Sequence, residues 1–184
     1  MNLFYEEYPE EIIVNGKEIP IITDFREYIR LLDMLQDDSL SLYEKVFYVR
    51  NYFKENPEDF LAAFEELMNF VTMERMEEQE GECCRERKQV YSFEIDYPFI
   101  FSAFLHDYGI NLRSIKYMHW WEFRMLFDGL SDNTEIKKRM LYRGIDLSTI
   151  KDADERKRIQ RIQQEIMLPD TGPNDYDIGE AFGW

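Results

Sequence analysis

Apolar side chains recur about every 3.6 residues through residues 24–72 and 96–168, the spacing of amphipathic α-helices. Before them, Asn15-Gly16 separates two β-branched runs within residues 11–22. Asn-Gly is typical of a type I′ turn, in which both central residues need positive φ. The sequence therefore predicts a mainly α fold: a compact helical domain of about six to seven helices with a short N-terminal β-hairpin and a flexible C-terminal tail.

Local capping and stop signals predict where the helices begin and end. Ser41-x-x-Glu44 has the form of a capping box, and Pro57 fits the first position of a third helix. Glycine and proline stops predict the later helix ends. The other predicted boundaries are a start at Thr23 or Asp24, a helix from Asp96 to Gly109 with Pro98 in its first turn, a helix from about Ser114 to Asp128, a start at Ser131 or Asp132 with an end at Gly144, and a last helix from Asp152 to Pro169.

The same pattern predicts the domain organisation. Residues 1–168 are expected to form a single helical domain, interrupted by a charged connection over residues 73–89 that lacks apolar periodicity. Residues 169–184 contain two prolines, three glycines and four acidic side chains. This composition predicts a flexible acidic tail.

Charge is distributed unevenly along the chain, whose formal net charge is -16. Residues 1–80 carry a net charge of -13, whereas residues 111–161 carry +4. Binding to nucleic-acid phosphates needs an excess of Lys and Arg, so nucleic acid is not an expected partner. The acidic half instead suggests an alternative function as a mimic of DNA that inhibits a host protein.

Membrane and secretory segments are not predicted. The N-terminus lacks a basic start and an apolar segment, and the longest apolar run, residues 98–105, is far below the roughly 18–20 residues of a membrane span. The only cysteines, Cys83 and Cys84, are adjacent and cannot staple distant parts of a fold. A cytosolic, reducing location fits this pattern.

Catalytic and metal-binding signals are weak. His119 and Glu122 share one helical face and His106 lies near a helix end, but HxxE by itself is a poor metal signature and no further ligand set accompanies it. There is no GxSxG motif and no phosphate-binding glycine loop. The sequence predicts no metal, no cofactor and no enzymatic activity, with His119 as a packed or interfacial residue.

The densest aromatic segment runs from Met118 to Phe127. One stripe of this predicted helix is expected to lie in the core, since a helix that is apolar over most of its circumference is normally central. Its members are Trp120, Phe123, Phe127 and Leu130. A second stripe, Met118, Trp121 and Met125, is a candidate partner surface, because Trp and Met concentrate at binding hot spots.

Two basic clusters follow, the first at residues 137–143 and the second on the last helix, where it includes Arg158 and Arg161. A nucleic-acid groove would need aromatic stacking residues between them, and these are missing. A solvated face, or a docking face for the acidic half of a neighbouring copy, is the favoured interpretation.

Several segments together resemble one phage and prophage family. They are Asn15-Gly16-Lys17-Glu18, Ile22-Thr23-Asp24-Phe25-Arg26, Asp107-Tyr108-Gly109-Ile110-Asn111-Leu112, His119-Trp120-Trp121-Glu122-Phe123 and Gly129-Leu130-Ser131. In pattern and order they resemble the bacteriophage gp-fifteen protein family over about residues 12–168. Asn111 departs from the Asp expected at its position, and the residues after Pro169 lie outside the pattern.

The resemblance implies a role in phage tail assembly. Genes of this family typically lie between those of the major tail protein and the tape measure protein, which implies a tail assembly chaperone in the cytoplasm of the bacterial host. The implied partners are the tape measure protein and other tail proteins. Further copies of the chain are an additional candidate, because the basic clusters could dock on the acidic half of a neighbouring copy. The family implies no catalytic residues. For contact with a partner, the residues favoured are Met118, Trp121 and Met125, followed by Arg158 and Arg161.

Overall fold

The computed structural model describes residues 4–73 and 89–168. Within these ranges it contains seven α-helices and one two-stranded antiparallel sheet, which confirms the predicted mainly α fold with a hairpin. The strands are β1 (Glu11–Val14) and β2 (Lys17–Pro20), and the helices are α1 (Phe25–Gln36), α2 (Leu42–Val49), α3 (Phe60–Thr72), α4 (Phe93–Tyr108), α5 (Trp120–Asp128), α6 (Glu135–Gly144) and α7 (Ala153–Ile166), with short 3-10 turns at Arg50–Tyr52 and Leu147–Thr149.

The hairpin has the predicted turn and packs on α3. Asn15 and Gly16 have φ angles of 52° and 81°, the positive values that a type I′ turn requires. Ile12 pairs with Ile19 across the sheet, and both are buried. Because a two-stranded sheet is marginal in water, burial of this inner face against the helices supplies its stability.

Several predicted helix ends are confirmed by their capping bonds. The side chain of Asp24 accepts a bond from the backbone N–H of Arg26, and Ser41 and Glu44 form both bonds of a capping box. Asp152 caps α7 by accepting from two backbone N–H groups. Gly109 ends α4 with a φ of 68°, the left-handed conformation favoured by glycine.

Four predicted starts are wrong, and in α3, α4 and α5 the reason is that another side chain caps the helix. α3 begins at Phe60 after the cap Asp59, and not at Pro57. α5 begins at Trp120 rather than Ser114, since the side chain of His119 caps it. α4 starts at Phe93 after the cap Ser92, which places Pro98 inside the helix. α6 starts at Glu135 after Thr134, rather than at Ser131 or Asp132.

Asp96, predicted as a helix cap, is instead fully buried and ion-paired with Arg143 of α6. Arg143 Nη2 lies 3.0 Å from Asp96 Oδ1, and Nη1 donates to Oδ2. The same guanidinium donates to the carbonyl oxygens of Val90 and Ile166. One buried group thus joins α4, α6 and the end of α7, and removing either partner would leave a buried charge at a cost of about 3–5 kcal/mol.

The core is centred on α5. Phe123 is completely buried and stacks on Phe104 of α4 at 5.2 Å and on Phe25 of α1 at 4.6 Å between ring centroids. Trp120 is also completely buried, and its indole Nε1 donates to the carbonyl oxygen of Val71 at 2.9 Å. The predicted core stripe of Trp120, Phe123, Phe127 and Leu130 is confirmed, since all four side chains are buried.

Some predictions fall on residues outside the described ranges. These are the charged connection, apart from its ends at Met73 and Gln89, the acidic tail over residues 169–184, and Cys83 with Cys84. The assignment of residues 1–168 to one domain stays a prediction. Among the helices of residues 4–73 and 89–168, none is long and apolar enough to cross a membrane.

Candidate partner-binding surfaces

His119 links the start of α5 to the N-terminal segment. Its Nδ1 accepts from the backbone N–H of Trp121 at 3.0 Å, and its Nε2 donates to the carbonyl oxygen of Pro9 at 3.0 Å. The ring also stacks on Tyr8, with 4.7 Å between centroids. One ring nitrogen accepts and the other donates, so the imidazole is neutral, and burial lowers its pKa below the ordinary value. The prediction that His119 is a packed residue is confirmed.

A shallow cavity of about 430 Å³ adjoins His119 and is lined mainly by glutamates and tyrosines. Its lining residues are Glu6, Glu7, Tyr8, Glu10, Tyr117, His119 and Glu122. Both nitrogens of His119 are occupied, as described above, so the ring offers no free base. His106 is exposed and lies 2.7 Å from its neighbour Asp107. Within the part of the chain that the structure describes, no group of three or more His, Cys, Asp or Glu side chains is arranged to hold a metal ion.

The structure does not bring Met118, Trp121 and Met125 together as one exposed surface. Met118 is buried at 5% exposure, and Trp121 is half-buried. The Trp121 indole donates to the carbonyl oxygen of Phe70 at 2.9 Å and packs on the Phe70 ring. Met125 is exposed. Partner binding by these residues stays a prediction. Because Met118 is buried, the prediction now applies to Trp121 and Met125.

The two basic clusters differ in how they are used. On α6, Lys137 donates to the carbonyl oxygen of Asp128, and Arg139 pairs with Glu135 while lying 3.9 Å over the ring of Phe99. On α7, Arg158 and Arg161 are exposed. Much of the α6 cluster therefore stabilises the fold, whereas the α7 cluster faces solvent.

α2 carries four exposed large apolar side chains. Its Tyr43 is 82% exposed, and Leu42 and Phe47 are 61% and 62% exposed. Tyr48 is also exposed, and its ring meets that of Phe47 edge to face. The name α2 surface is used below for Leu42, Tyr43, Phe47 and Tyr48. The sequence analysis did not predict this surface, although the signal was present: its four large apolar residues lie within seven consecutive residues after Ser41.

A second exposed stripe runs along α4. Tyr97, Phe101 and Leu105 are spaced by four residues, and each is between 38% and 58% exposed. The apolar periodicity of this helix predicts that Phe101, Phe104 and Leu105 share one inward stripe. This prediction is wrong for two of them, since only Phe104 is buried. Residues four apart lie on the same side of a helix, so this α4 stripe is a continuous apolar strip.

Comparison with known proteins finds a matching family model. The family model described as Bacteriophage Gp15 protein matches residues 5–168, which is most of the chain. No curated protein and no solved structure matches the sequence significantly. The match covers α1 to α7 and the hairpin, and it ends where the predicted acidic tail begins.

Proposed function

Because the chain belongs to the bacteriophage Gp15 protein family and is therefore a phage structural or morphogenesis protein, we propose that it is a non-enzymatic tail assembly chaperone. In this proposal it binds the tape measure protein in the cytoplasm of the bacterial host before and during tail tube assembly. The family match supports the phage role, and the exposed apolar surfaces support the chaperone role.

The observation that carries the proposal is the α2 surface. A tape measure protein is a long, mostly helical chain whose apolar stripes are exposed before assembly, and such stripes bind apolar surfaces through residues at i, i+3 and i+4. Leu42, Phe47 and Tyr43 are mostly exposed, so a partner helix would bury them at about 25 cal/mol for each Å² of apolar surface removed from water. Such binding is reversible, as a holdase requires.

Two further features fit this role. The α4 stripe offers a second apolar strip for the same kind of partner. The net charge of -16 would keep a complex with an apolar chain soluble, because like-charged complexes repel each other. The alternative, an acidic inhibitor that mimics DNA, gives these aromatic surfaces no role.

The test is co-expression of the full chain with the tape measure protein of its own phage or prophage, followed by size-exclusion chromatography with light scattering. We expect a soluble complex, while the tape measure protein expressed by itself is insoluble. Separate elution with precipitation of the tape measure protein would contradict the proposal.

Matched variants locate the binding surface. Tyr43→Ser with Phe47→Ser should reduce the captured tape measure protein by at least about tenfold, the effect of losing roughly 1.4 kcal/mol of binding free energy. The control, Leu61→Ser with Leu141→Ser, removes two exposed leucines elsewhere and should capture as the wild type does. Equal loss in both variants would contradict a role for α2.

The salt concentration distinguishes the proposed chaperone from the alternative, an acidic inhibitor that mimics DNA. Capture through apolar surfaces should persist at about 1 M salt, where charges are screened beyond roughly 3 Å. Capture of a DNA-binding host enzyme by acidic side chains would collapse under the same conditions.

A further inference from the structure

The end of α7 lies beside the first turns of α4. Arg143 joins them, since its guanidinium donates to the carbonyl oxygen of Ile166 at 2.7 Å and to the carboxylate of Asp96 at 3.0 Å. Tyr97, the first residue of the α4 stripe, follows Asp96 directly. The described part of the chain ends at Leu168, two residues after Ile166. The chain therefore leaves the described fold close to the point where the α4 stripe begins.

The α4 stripe is an uncharged apolar strip. Tyr97, Phe101 and Leu105 are 58%, 38% and 56% exposed. No Asp, Glu, Lys or Arg occurs along α4 from the first of them to the last. Successive members are separated by roughly 6 Å along the helix axis. A segment that covers this stripe needs large apolar side chains at a similar spacing.

Residues 169–184 contain this spacing. Side chains two positions apart in an extended segment point to the same side and are separated by roughly 6.6 Å. Phe182 and Trp184 are two positions apart, and only Gly183 stands between them. Tyr176 and Ile178 have the same separation, but they enclose a charged residue. Phe182 and Trp184 are thus the pair that best matches an uncharged stripe.

The chain beyond Leu168 is long enough to reach every position of the stripe. Fourteen residues separate Leu168 from Phe182. Fully extended, they would span up to about 46 Å. The stripe rises only about 12 Å from Tyr97 to Leu105. The pair can therefore be placed anywhere along the stripe without strain in the connecting residues.

Charge favours the α4 stripe over the α2 surface for this segment. Residues 169–184 contain four acidic side chains and no Lys or Arg. Residues 4–73, which include α2, contain sixteen acidic and six basic side chains, whereas residues 89–168, which include α4, contain twelve of each. Like charges repel, so the acidic segment is repelled from the first region and not from the second. Glu44 also stands within the α2 surface, directly after Tyr43.

We propose that the acidic tail docks on the α4 stripe of its own chain, with Phe182 and Trp184 packed against Tyr97, Phe101 and Leu105. The contact removes apolar surface of both segments from water. Because the two segments belong to one chain, docking costs only the entropy of closing a loop and is independent of protein concentration.

The docked tail would divide the exposed apolar surfaces into two classes. The α2 surface stays open, whereas the α4 stripe is covered until a partner displaces the tail. The docking itself involves no second protein, so it stands or falls independently of the proposed chaperone function.

The test is photo-crosslinking in the full chain, with benzoylphenylalanine replacing Phe182. We expect a crosslink within one chain to the peptide that contains residues 97–105, at a yield that does not change with protein concentration. Crosslinks between chains, with a yield that rises with concentration, would assign the stripe to a second copy and overturn the proposal. A crosslink to α2, or a yield no higher than that of the chain unfolded in urea, would also overturn it.

Matched variants locate the contact. Tyr97→Ser with Leu105→Ser should lower the yield of the crosslink at least about tenfold, which corresponds to roughly 1.4 kcal/mol of docking free energy. The control, Leu42→Ser with Phe47→Ser, removes two side chains of the α2 surface and should leave the yield unchanged. All four positions are between 56% and 62% exposed, and circular dichroism verifies that both variants are folded. Equal loss of yield in both variants would overturn the proposal.

Binding of Nile red, an uncharged apolar dye, provides an independent readout. Phe182→Ser with Trp184→Ser should uncover the stripe and strengthen dye binding, by about tenfold if the tail covers the stripe nine tenths of the time. This gain should disappear when the two α4 substitutions are added. The control, Tyr176→Ser with Ile178→Ser, should give a smaller gain. Dye binding that the first variant leaves unchanged, or an equal gain in the control, would overturn the assignment of Phe182 and Trp184 to the stripe.

Discussion

α5 and α2 are both rich in aromatic residues, yet they occupy opposite environments. In α5, Trp120, Phe123 and Phe127 have exposures of 0 to 1%. In α2, Tyr43 and Phe47 are 82% and 62% exposed. Aromatic density therefore indicates that a helix has apolar surface to cover, but it does not indicate whether the same chain covers it.

The neighbours of each helix explain the difference. α5 packs between α1 and α4, and the backbone carbonyls of Phe70 and Val71 at the end of α3 accept its two indole N–H groups. α2 packs on α1 and then continues into the 3-10 turn at Arg50–Tyr52, so only Val49 of its eight residues is buried. The aromatic side chains of α2 remain available to a partner.

The largest expected effect is on the free energy of unfolding, which should fall much more for a substitution in α5 than for one in α2. Phe123→Ala should lower the free energy of unfolding by about 3–5 kcal/mol, because it leaves a cavity among the stacked rings of Phe25 and Phe104. Phe47→Ala on α2 should change it by no more than about 0.5 kcal/mol. Urea unfolding monitored by circular dichroism measures both. Similar losses would show that α2 is covered by its own chain.

Trp121 lies between these extremes. Trp121→Ala should cost about 2–3 kcal/mol, since it removes a half-buried ring and leaves the carbonyl oxygen of Phe70 without its donor. Trp121→Phe keeps the ring contact with Phe70 and should recover part of this loss. If Trp121→Ala lowers partner capture but leaves the unfolding free energy unchanged, Trp121 is a binding residue and not a packing residue.

The two helix caps provide a smaller comparison. His119→Ala removes the cap of α5 and its bond to Pro9, with an expected cost of about 1–2 kcal/mol, whereas Ser41→Ala in the capping box of α2 should cost about 0.5–1 kcal/mol. His119→Asn keeps an acceptor at the cap and should lie between His119→Ala and the wild type. A larger loss for Ser41→Ala, measured by thermal unfolding, would contradict the central position of α5.

The caps also differ in their response to pH. Burial lowers the pKa of His119 below its ordinary value of 6.5. Below pH 6.5 the unfolded chain therefore binds more protons than the folded chain does. The contribution of His119 to the free energy of unfolding is lost as the pH falls. The bonds from Ser41 lower the pKa of Glu44 below 4.5, so the α2 cap weakens only as pH falls through that range. The His119 contribution is at most about 1.4 kcal/mol for each pH unit.

Melting temperatures between pH 7.5 and pH 5.5 should therefore fall more in the wild type than in His119→Asn, which lacks the titrating group. The matched variant Ser41→Ala should keep the slope of the wild type in this interval. An identical slope in the wild type and His119→Asn would show that His119 does not cause the loss.

The sequence predicts features that depend on neighbouring residues. The turn at Asn15-Gly16, the capping box of Ser41 and Glu44, and the stop at Gly109 were all correct because a few adjacent residues supply their bonds and backbone angles. The core stripe of α5 and the resemblance to the phage family were also correct, since both depend on patterns along the chain.

Helix starts were predicted wrongly where two nearby residues could each cap the helix. Asp96 and Ser92 are both residues that cap helices, and Ser92 occupies the cap because Arg143, 47 residues away, holds Asp96 in the core. Likewise, His119 caps α5 instead of lying inside a longer helix, because its ring is fixed by Tyr8 and Pro9.

The candidate binding surfaces also depend partly on the sequence pattern and partly on tertiary packing. The sequence determined that α2, α4 and α5 each carry more apolar side chains than one inward stripe needs, and that charge changes sign along the chain. Only the tertiary structure decided that Met118 is buried while Tyr43, Phe47 and Phe101 are exposed. The physical reason is that local pattern sets which residues prefer to leave water, whereas burial requires a second element from a distant part of the chain to pack against them.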